Sequence, residues 1–473
     1  CMAKTYLFYD LETSGIHKCF DQIMQFAAIR TDKQLNEIER HEFLVKLNPD
    51  TIVDPEALIV HHIPLEKANS EGVSEYEAVQ KIHALINVPD TVSVGYNTLG
   101  FDDEFLRFSF YRNLLSVYTH QFANDCYRMD LYPLVAAYYL YDHERIAFPT
   151  KDGKPSLKLE LLNEANQLVL EGRAHDALVD VEVTVALARK LKSNEPMWRF
   201  LEDGFKKKHD QRQAEKFKGG LTIKDTFYQQ AIMVNGRFGV DNQYHAPVLN
   251  LGQHRHYKNQ TCWLRLDLPE LRETTIETIS EHTWVMKKKW GEPPILLPAL
   301  PRFVKKLGEA RINEIKENKK WLMENPDMFL AIVEDTLEYT YPKVDGVDID
   351  AALYTSGFLA PWEERLCQQF HGATLEAKAN MLPKFEGDLQ TRALRLLGRL
   401  SPEHLPTEFQ MDFHHYLEQI ASFDEADLLL DFRGNKRRSV PESFEKIQTL
   451  KEERELSDEQ LALLDELEEY ISV

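Results

Sequence analysis

The stretch TYLFYDLE at residues 5–12 decides the fold of the first part of the chain. Residues 5–9 form a nearly continuous apolar run, which is typical of a strand buried on both faces of a sheet. Asp10 and Glu12 follow at the end of this strand. Side chains two positions apart on a strand point to the same face, so both carboxylates project together. Such a pair occurs in exposed turns, but it also suits Mg²⁺, which prefers oxygen ligands.

The pattern that follows predicts an α/β architecture for residues 1–195. Further strands are expected over 23–30, 41–47 and 91–96, and helices over 74–85, 102–112, 131–141, 157–165 and 177–191. Three early strands followed by alternating helices and strands indicate a mixed sheet with helices on both faces.

The rest of the chain has a different character. Residues 206–218 are polar and basic, which is typical of a connector. Short β-like pieces at 231–234 and 262–266, with an Asn-Gly turn signal at 235–236, predict a small β-rich domain over 196–347. Helix formers dominate afterwards, with runs at 391–400 and 457–471, and predict a helical domain over 348–473.

The composition is that of a globular protein, with 43% hydrophobic and 28% charged residues. No apolar stretch is long enough for a transmembrane helix, and the N-terminus lacks a signal-peptide layout. The cysteines are scattered without a CxxC pair, so neither a zinc site nor a disulfide framework is expected. These features predict a cytoplasmic protein without a membrane partner.

The net charge of −21 disfavours nucleic-acid binding, because affinity for phosphates comes largely from Lys and Arg. Basic clusters at 206–208, 287–289 and 436–438 could still form a local track for DNA. A charge run is usually a solvated face of the protein, and this is the alternative for each cluster.

Two later motifs add to the first pair of acids. Asp102 lies between a predicted strand and a predicted helix, where it could simply favour the helix dipole. If the parallel strands are neighbours, however, Asp102 reaches the same rim as Asp10. Asp180 lies inside an apolar helical run, where a carboxylate is costly unless it is paired or binds a metal. His175, at the entrance of that helix, suits general-base work near neutral pH.

Together, four acids and a histidine meet the requirements of two-metal phosphodiester hydrolysis. In that chemistry the acids hold the ions and the histidine accepts the proton of the attacking water. The combination indicates an enzyme more strongly than any single motif does.

The three motifs resemble those of the DEDDh 3′→5′ exonucleases, a superfamily with a ribonuclease H-like fold. The matching residues are Asp10 and Glu12 with Thr13, then Asn97 with Phe101 and Asp102, then His175 and Asp180. Within this superfamily the chain is most similar to bacterial exonuclease I, with further shared segments at 25–32, 95–104, 110–113, 155–160 and 174–177. The resemblance implies metal ligands at Asp10, Glu12, Asp102 and Asp180, with His175 as general base.

The same resemblance implies more about activity and partners. It predicts a 3′→5′ exodeoxyribonuclease that releases 5′-mononucleotides from single-stranded DNA during DNA repair and recombination. Two Mg²⁺ ions would serve as cofactors, with Mn²⁺ as a substitute. An SH3-like domain is expected over 196–347, before the helical domain. The partners would be single-stranded DNA and the acidic tail of single-strand DNA-binding protein, and the enzyme would be a monomer.

The resemblance also suggests DNA contacts outside the metal ligands. The residues concerned, besides Glu12, are Thr13, Arg107, Tyr118, Phe122, Lys158 and Lys207. Aromatic side chains stack on any base, which suits a nuclease without sequence preference. Core packing is the alternative for Tyr118 and Phe122. Lys158 stands where the family often has Arg, so it keeps the charge but loses bidentate phosphate geometry.

Two other functions remain as alternatives. An exoribonuclease of the same superfamily would carry the same motifs, although its smaller members lack two extra domains. A non-catalytic nucleic-acid-binding scaffold would be expected to have lost at least one of the five site residues, and all five are present.

Overall fold

The computed structural model describes residues 4–472. Its strands are β1 (Thr5–Thr13), β2 (Ile23–Thr31), β3 (Glu37–Leu44), β4 (Thr91–Gly95), β5 (Tyr127–Asp130), β6 (Thr150–Lys151), β7 (Lys154–Pro155), β8 (Gly220–Ile223), β9 (Thr226–Val234), β10 (His245–Gln253), β11 (Thr261–Arg265), β12 (Val285–Lys288) and β13 (Ile295–Pro298).

Its α-helices are α1 (Pro55–His61), α2 (Leu65–Glu71), α3 (Glu75–Ile86), α4 (Asp102–Arg112), α5 (Leu131–Tyr141), α6 (Leu159–Asn166), α7 (Ala177–Lys192), α8 (Glu195–Asp203), α9 (Lys207–Ala214), α10 (Ile279–His282), α11 (Pro301–Val304), α12 (Glu309–Glu324), α13 (Pro326–Glu338), α14 (Pro361–Gly372), α15 (Leu375–Met381), α16 (Gly387–Leu400), α17 (Thr407–Ile420), α18 (Val440–Glu453) and α19 (Asp458–Ser472). None of these helices has the length and apolarity needed to cross a membrane.

The chain divides into two compact units that are not continuous in sequence. The first contains the described parts of 1–127, 171–185 and 342–473. The second contains residues 128–170 and 186–341.

A mixed sheet forms the centre of the first unit, as the sequence predicts. Its strands follow the order β3-β2-β1-β4, with β1 antiparallel to β2 and parallel to β4. Strand β3 continues the sheet antiparallel to β2. Because β1 and β4 are parallel neighbours, the segments that follow both strands leave the sheet at the same edge.

The two faces of β1 have different surroundings. Leu7, Tyr9 and Leu11 lie in one hydrophobic cluster with residues of α3 and α4. The strand alternates, so Phe8, Asp10 and Glu12 belong to the opposite face. Packing of the apolar face therefore determines which face carries the two carboxylates.

The C-terminal helices complete the core of the first unit. Helices α18 and α19 contribute Ile447, Leu463 and Leu467 to a cluster that also contains Leu58 and Ile59 of α1. Helices α14 to α17 form a second cluster, which includes residues from the N-terminal part such as those at 52, 76 and 114. The helical region therefore shares its hydrophobic cores with the segment that carries the first acids.

Buried ion pairs also join these two parts of the first unit. Arg399 of α16 donates to Asp50 at 2.8 Å and to Asp350 at 2.5 Å. Arg395, one turn earlier, donates to Asp348 at 2.9 Å. The arginines hold the pKa of Asp50 and Asp350 well below the usual range despite burial, which acts in the opposite direction.

An antiparallel sheet forms the core of the second unit. Its strands follow the order β12-β11-β10-β9-β13, and β8 pairs with β9. Ala231, Met233, Val248 and Trp263 lie in its hydrophobic cluster. This sheet agrees with the β-rich character predicted for the region. The basic segment over 206–218, predicted to be a connector, contains helix α9 at 207–214.

Candidate active site

Asp10 and Glu12 lie near the carboxyl end of β1, on the face opposite Leu7, Tyr9 and Leu11. The pairing of β1 with β2 changes register between Glu12 and Thr13. Such a bulge bends the strand and re-aims the neighbouring side chains. The two acids thus leave the sheet at the edge where β4 also ends.

Asp102 reaches that edge through a short turn after β4. Asn97 adopts a left-handed conformation with φ of 61°, and a single 3₁₀ turn over Thr98–Gly100 precedes α4. Gly95, the last residue of β4, leaves room for this turn, because a Cβ atom there would lie 2.0 Å from Cγ2 of Thr98. Asp102 is the first residue of α4 and is buried.

The third motif, His175 and Asp180, lies at the start of α7. Asp180 lies in the first turn of this helix, and its Oδ2 atom accepts a hydrogen bond from the backbone N–H of His175 at 3.2 Å. His175 has φ of 64°, so the chain turns sharply just before the helix. The backbone N–H of Ala177 donates to Oε1 of Gln25 at 3.2 Å. Because Gln25 pairs with Glu12 across β1 and β2, this bond holds the start of α7 beside β1.

Three of the five predicted site residues form a group with metal-binding geometry. Glu12, His175 and Asp180 each offer one ligand atom, and these atoms lie within 4.8 Å of one another. Carboxylate and imidazole donors of this kind suit a divalent cation. The residues present therefore fit the metal that the motifs imply.

The other two acids belong to the same electrostatic group. Burial raises the pKa of Asp10 well above its usual value, and the nearby carboxylates of Asp102, Glu12 and Asp180 raise it further. Burial likewise raises the pKa of Glu12, followed by the effects of Asp180 and Asp102. Four carboxylates that oppose each other's ionisation form a site that favours bound positive charge.

The predicted DNA contacts of the first unit have different environments. Thr13 is buried and donates to the carbonyl oxygen of Gly15 at 2.8 Å. Arg107 forms an ion pair with Asp103 at 3.1 Å and donates to the hydroxyl of Tyr354 at 3.3 Å. The guanidinium is thus held by the protein itself.

The two aromatic candidates also differ. Phe122 is 71% exposed, so core packing, the alternative for this side chain, is wrong. Tyr118 is half-buried and precedes the 3₁₀ turn Thr119–Gln121. Lys158 and Lys207 are exposed and belong to the second unit, so the first unit does not bring them together with the acids.

Several residues of the basic clusters have structural partners. Lys288 is buried and forms an ion pair with Asp210 at 2.6 Å. Arg438 pairs with Asp21 at 3.0 Å and with Asp54 at 3.1 Å. These side chains are parts of the folded interior rather than an open phosphate track.

Sequence reasoning did not single out several residues around the site. Gln25 lies in one of the segments that resemble the family, but nothing local to it indicates a bond to residue 177. His120 is buried against Asp103, next to Asp102, with 3.0 Å between Nε2 and Oδ1. Arg173 in the loop before His175 pairs with Glu459, 286 positions away. The adjacency of Asp103 to Asp102 was the one signal available for these contacts.

Comparisons with known proteins agree with the motifs. A family described as Exonuclease matches residues 7–188, and a family described as Exonuclease I C-terminal domain matches residues 347–473. Exodeoxyribonuclease I of Escherichia coli strain K12 is 31% identical over 374 residues, which cover 75% of this chain and 76% of that protein.

Solved structures extend the similarity over the length of the chain. A crystal structure of E. coli exonuclease I in complex with a dA16 oligonucleotide matches with a TM-score of 0.84 and 27% identity, covering 99% of both chains. A zinc-bound form of the E. coli enzyme with single-stranded DNA matches with a TM-score of 0.82 and 25% identity, covering 100% of this chain and 99% of that one.

Proposed function

The chain belongs to the exodeoxyribonuclease I family, and we propose that it is a 3′→5′ exonuclease specific for single-stranded DNA that releases 5′-mononucleotides. The observation that carries this proposal is the meeting of Glu12, His175 and Asp180 within 4.8 Å. Beyond the effect of burial, the pKa of Asp10 is raised by Asp102, Glu12 and Asp180. Asp102 also raises the pKa of Glu12. All five residues that the chemistry requires thus converge on one edge of the sheet.

The proposed mechanism assigns a role to each side chain. Asp10, Glu12, Asp102 and Asp180 would hold two Mg²⁺ ions, with Mn²⁺ as a substitute. When bound, such ions activate a water and stabilise the charge that develops on the leaving oxygen. His175 accepts the proton of the attacking water. Its position before α7 supports this role, because the imidazole is exposed and close to two of the acids.

The remaining proposed contacts are with the terminal nucleotide, the bases and the phosphate backbone of the DNA. Thr13 follows Glu12 directly and would lie beside the terminal nucleotide. Phe122 offers an exposed ring on which a base can stack, and Tyr118 would assist it. The charges proposed to contact the phosphate backbone are those of Arg107, Lys158 and Lys207.

The domain division is proposed as 1–195, 196–347 and 348–473. The family matches at 7–188 and 347–473 support the two outer domains. The antiparallel sheet of β8 to β13 supports an SH3-like domain between them.

We further propose a monomeric enzyme that works in the cytoplasm in DNA repair and recombination. Four cysteines, buried as free thiols in the described residues, support a reducing compartment. The acidic tail of single-strand DNA-binding protein is the proposed protein partner.

The exoribonuclease alternative is not favoured. The E. coli relative with 31% identity is named an exodeoxyribonuclease, and the two E. coli structures described above are complexes with DNA. The scaffold alternative is disfavoured because all five site residues are present, three of them within 4.8 Å of one another and the other two in the same electrostatic group.

The test is digestion of 5′-labelled single-stranded DNA, duplex DNA and RNA with Mg²⁺, Mn²⁺ or EDTA. A ladder that shrinks from the 3′ end, on single-stranded DNA only and not in EDTA, is the expected result. The Asp180→Asn protein, purified in parallel, controls for contaminating nucleases. Equal digestion of RNA would favour the exoribonuclease, and no digestion at all would favour the scaffold.

A further inference from the structure

The loop that carries His175 has few bonds of its own. Residues 171–175 are exposed, and both Gly172 and His175 have positive φ. Within the loop, the N–H of Asp176 donates to the carbonyl of Arg173 at 3.3 Å, and the N–H of His175 donates to Asp180. A short exposed segment of this kind is poorly fixed unless another part of the protein holds it.

Glu459 at the start of α19 provides that hold. Its two carboxylate oxygens accept hydrogen bonds from Nη1 and Nη2 of Arg173, each at 2.9 Å. This bidentate arrangement fixes the direction of the guanidinium as well as its distance. The Nδ1 atom of His62, the residue after α1, lies 3.4 Å from the same carboxylate. The loop is therefore attached two residues before His175.

Helix α19 is itself firmly attached to the N-terminal part of the chain. Gln460 donates to the carbonyl of Ile59 at 3.0 Å. Glu466 accepts from the backbone N–H groups of Leu65 at 3.1 Å and Glu66 at 2.6 Å, where α2 begins. Leu463, Leu464 and Leu467 of the same helix lie in the hydrophobic cluster shared with α1 and α2. These hydrogen bonds and apolar contacts fix α19, and therefore Glu459, relative to α1 and α2.

We propose that Glu459 is a positioning residue for the nuclease reaction, which holds the His175 loop in place through Arg173. The inference rests on the proposed role of His175 as general base. It assigns a catalytic purpose to the C-terminal region, which contains none of the five site residues. Arg173 and Glu459 are about half exposed, with 53% and 49% of each side chain accessible. An exposed ion pair adds little to global stability, so its main effect is expected on the loop.

The first experiment measures kcat and KM on labelled single-stranded DNA at saturating Mg²⁺. Glu459→Gln and Arg173→Gln are each expected to lower kcat by about tenfold, because small displacements of a reacting group are costly. KM and Tm should change little. The double variant should be no slower than either single variant, because both remove the same contact. Glu469→Gln, an exposed acid on the same helix, is the matched control and should behave as the wild type.

A charge exchange separates this role from direct DNA binding by Arg173. The variant with Arg173→Glu and Glu459→Arg restores the pair in reverse and should recover part of the lost kcat. If Arg173 instead contacts a phosphate, the exchange variant would be worse than Arg173→Gln, and KM would rise. That outcome, or an unchanged kcat in Glu459→Gln, would overturn the inference.

Amide hydrogen exchange gives a readout that needs no nuclease activity. The backbone N–H groups of residues 175–178 should exchange faster in Glu459→Gln than in the wild type or in Glu469→Gln. Unchanged exchange there would contradict the proposed hold. If the wild type proves inactive on every substrate, the proposed function fails, while the exchange experiment still decides whether Glu459 orders the loop.

Discussion

The side-chain oxygen of Gln25 accepts a hydrogen bond from the backbone N–H of Ala177 across 3.2 Å, and this bond joins β2 to the first turn of α7. The Nε2 atom of the same side chain donates to Glu42 at 3.0 Å, so the amide is oriented at both ends. Gln25 also faces Glu12 in the pairing of β1 with β2. The side-chain amide of Gln25 therefore fixes the position of α7, which carries Asp180, relative to the strand that carries Glu12.

Gln25→Ala is expected to lower kcat by about 10- to 100-fold, the usual effect of removing a group that orients metal ligands. Without this hydrogen bond, the position of Asp180 on α7 relative to Glu12 is no longer fixed. Steady-state kinetics over a Mg²⁺ titration would check this. Gln34→Ala, at an exposed turn, is the control. Wild-type kinetics in Gln25→Ala would mean that the bond is dispensable.

Asp180→Asn should abolish nuclease activity while it preserves the fold. Without metal, the variant is expected to be at least as stable as the wild type. Asp180 raises the pKa of both Asp10 and Glu12, so its neutralisation relieves repulsion among buried carboxylates. Thermal unfolding in EDTA measures this, with the exposed acid variant Glu71→Gln as control. A clear loss of stability in EDTA would show that Asp180 has a structural role instead.

His175→Ala should retain Mg²⁺ binding through the acids but lose about 10²- to 10⁴-fold in rate, the usual contribution of a general base. Binding is followed as the rise in Tm on addition of Mg²⁺, and the rate by digestion of labelled DNA. A near-normal rate would remove His175 from the base role. Loss of the Mg²⁺-dependent rise in Tm would make it a metal ligand.

His245 predicts a dependence of stability on pH that does not involve the active site. It is buried in the second unit, and burial lowers its pKa from the usual 6.5 to about 4, with Arg311 acting in the same direction. The unfolded chain therefore binds a proton more readily than the folded chain in this range. Stability should fall as the pH drops from 6.5 towards 4, by at most about 3 kcal/mol.

The check is denaturant unfolding at several pH values for the wild type and His245→Gln. The variant should show a flatter profile because it no longer titrates there. Some dependence should remain, since burial also lowers the pKa of His61 to about 3. Parallel profiles for the two proteins would contradict the assignment to His245.

Arg399→Leu is expected to destabilise the first unit by about 3–5 kcal/mol, because it leaves the buried carboxylates of Asp50 and Asp350 without their shared partner. Unfolding in urea measures the change. Arg433→Leu, at an exposed position nearby in sequence, should change stability by less than about 0.5 kcal/mol. Equal effects of the two substitutions would mean that the buried ion pairs of Arg399 do not contribute to stability beyond an exposed arginine.

Sequence patterns predicted β1, β2 and β4 well because these strands are largely buried and apolar, unlike β3. The strand expected over 5–9 extends to Thr13, so the two acids lie within β1 rather than after it. The strand expected over 41–47 is displaced to Glu37–Leu44. Alternation alone does not determine where pairing with a neighbouring strand stops.

The short helices α1 and α2 were missed, because seven residues are too few to show an apolar period. The five site residues could be predicted because their order and spacing match a known pattern. The bonds of Gln25 to Ala177 and of Glu459 to Arg173 could not, because each joins positions more than 150 residues apart. Only the folded chain determines such contacts.

The sharing of cores between the N-terminal segment and α14 to α19 has a consequence for synthesis. A chain still on the ribosome already carries Asp10, Glu12, Asp102 and Asp180, but the helices that cover α1 and α2 have not yet emerged. The second unit is inserted between the segments of the first and can collapse earlier. A nascent chain without these helices would thus lack a mature nuclease centre, so degradative activity would arise only after α14 to α19 have been synthesised.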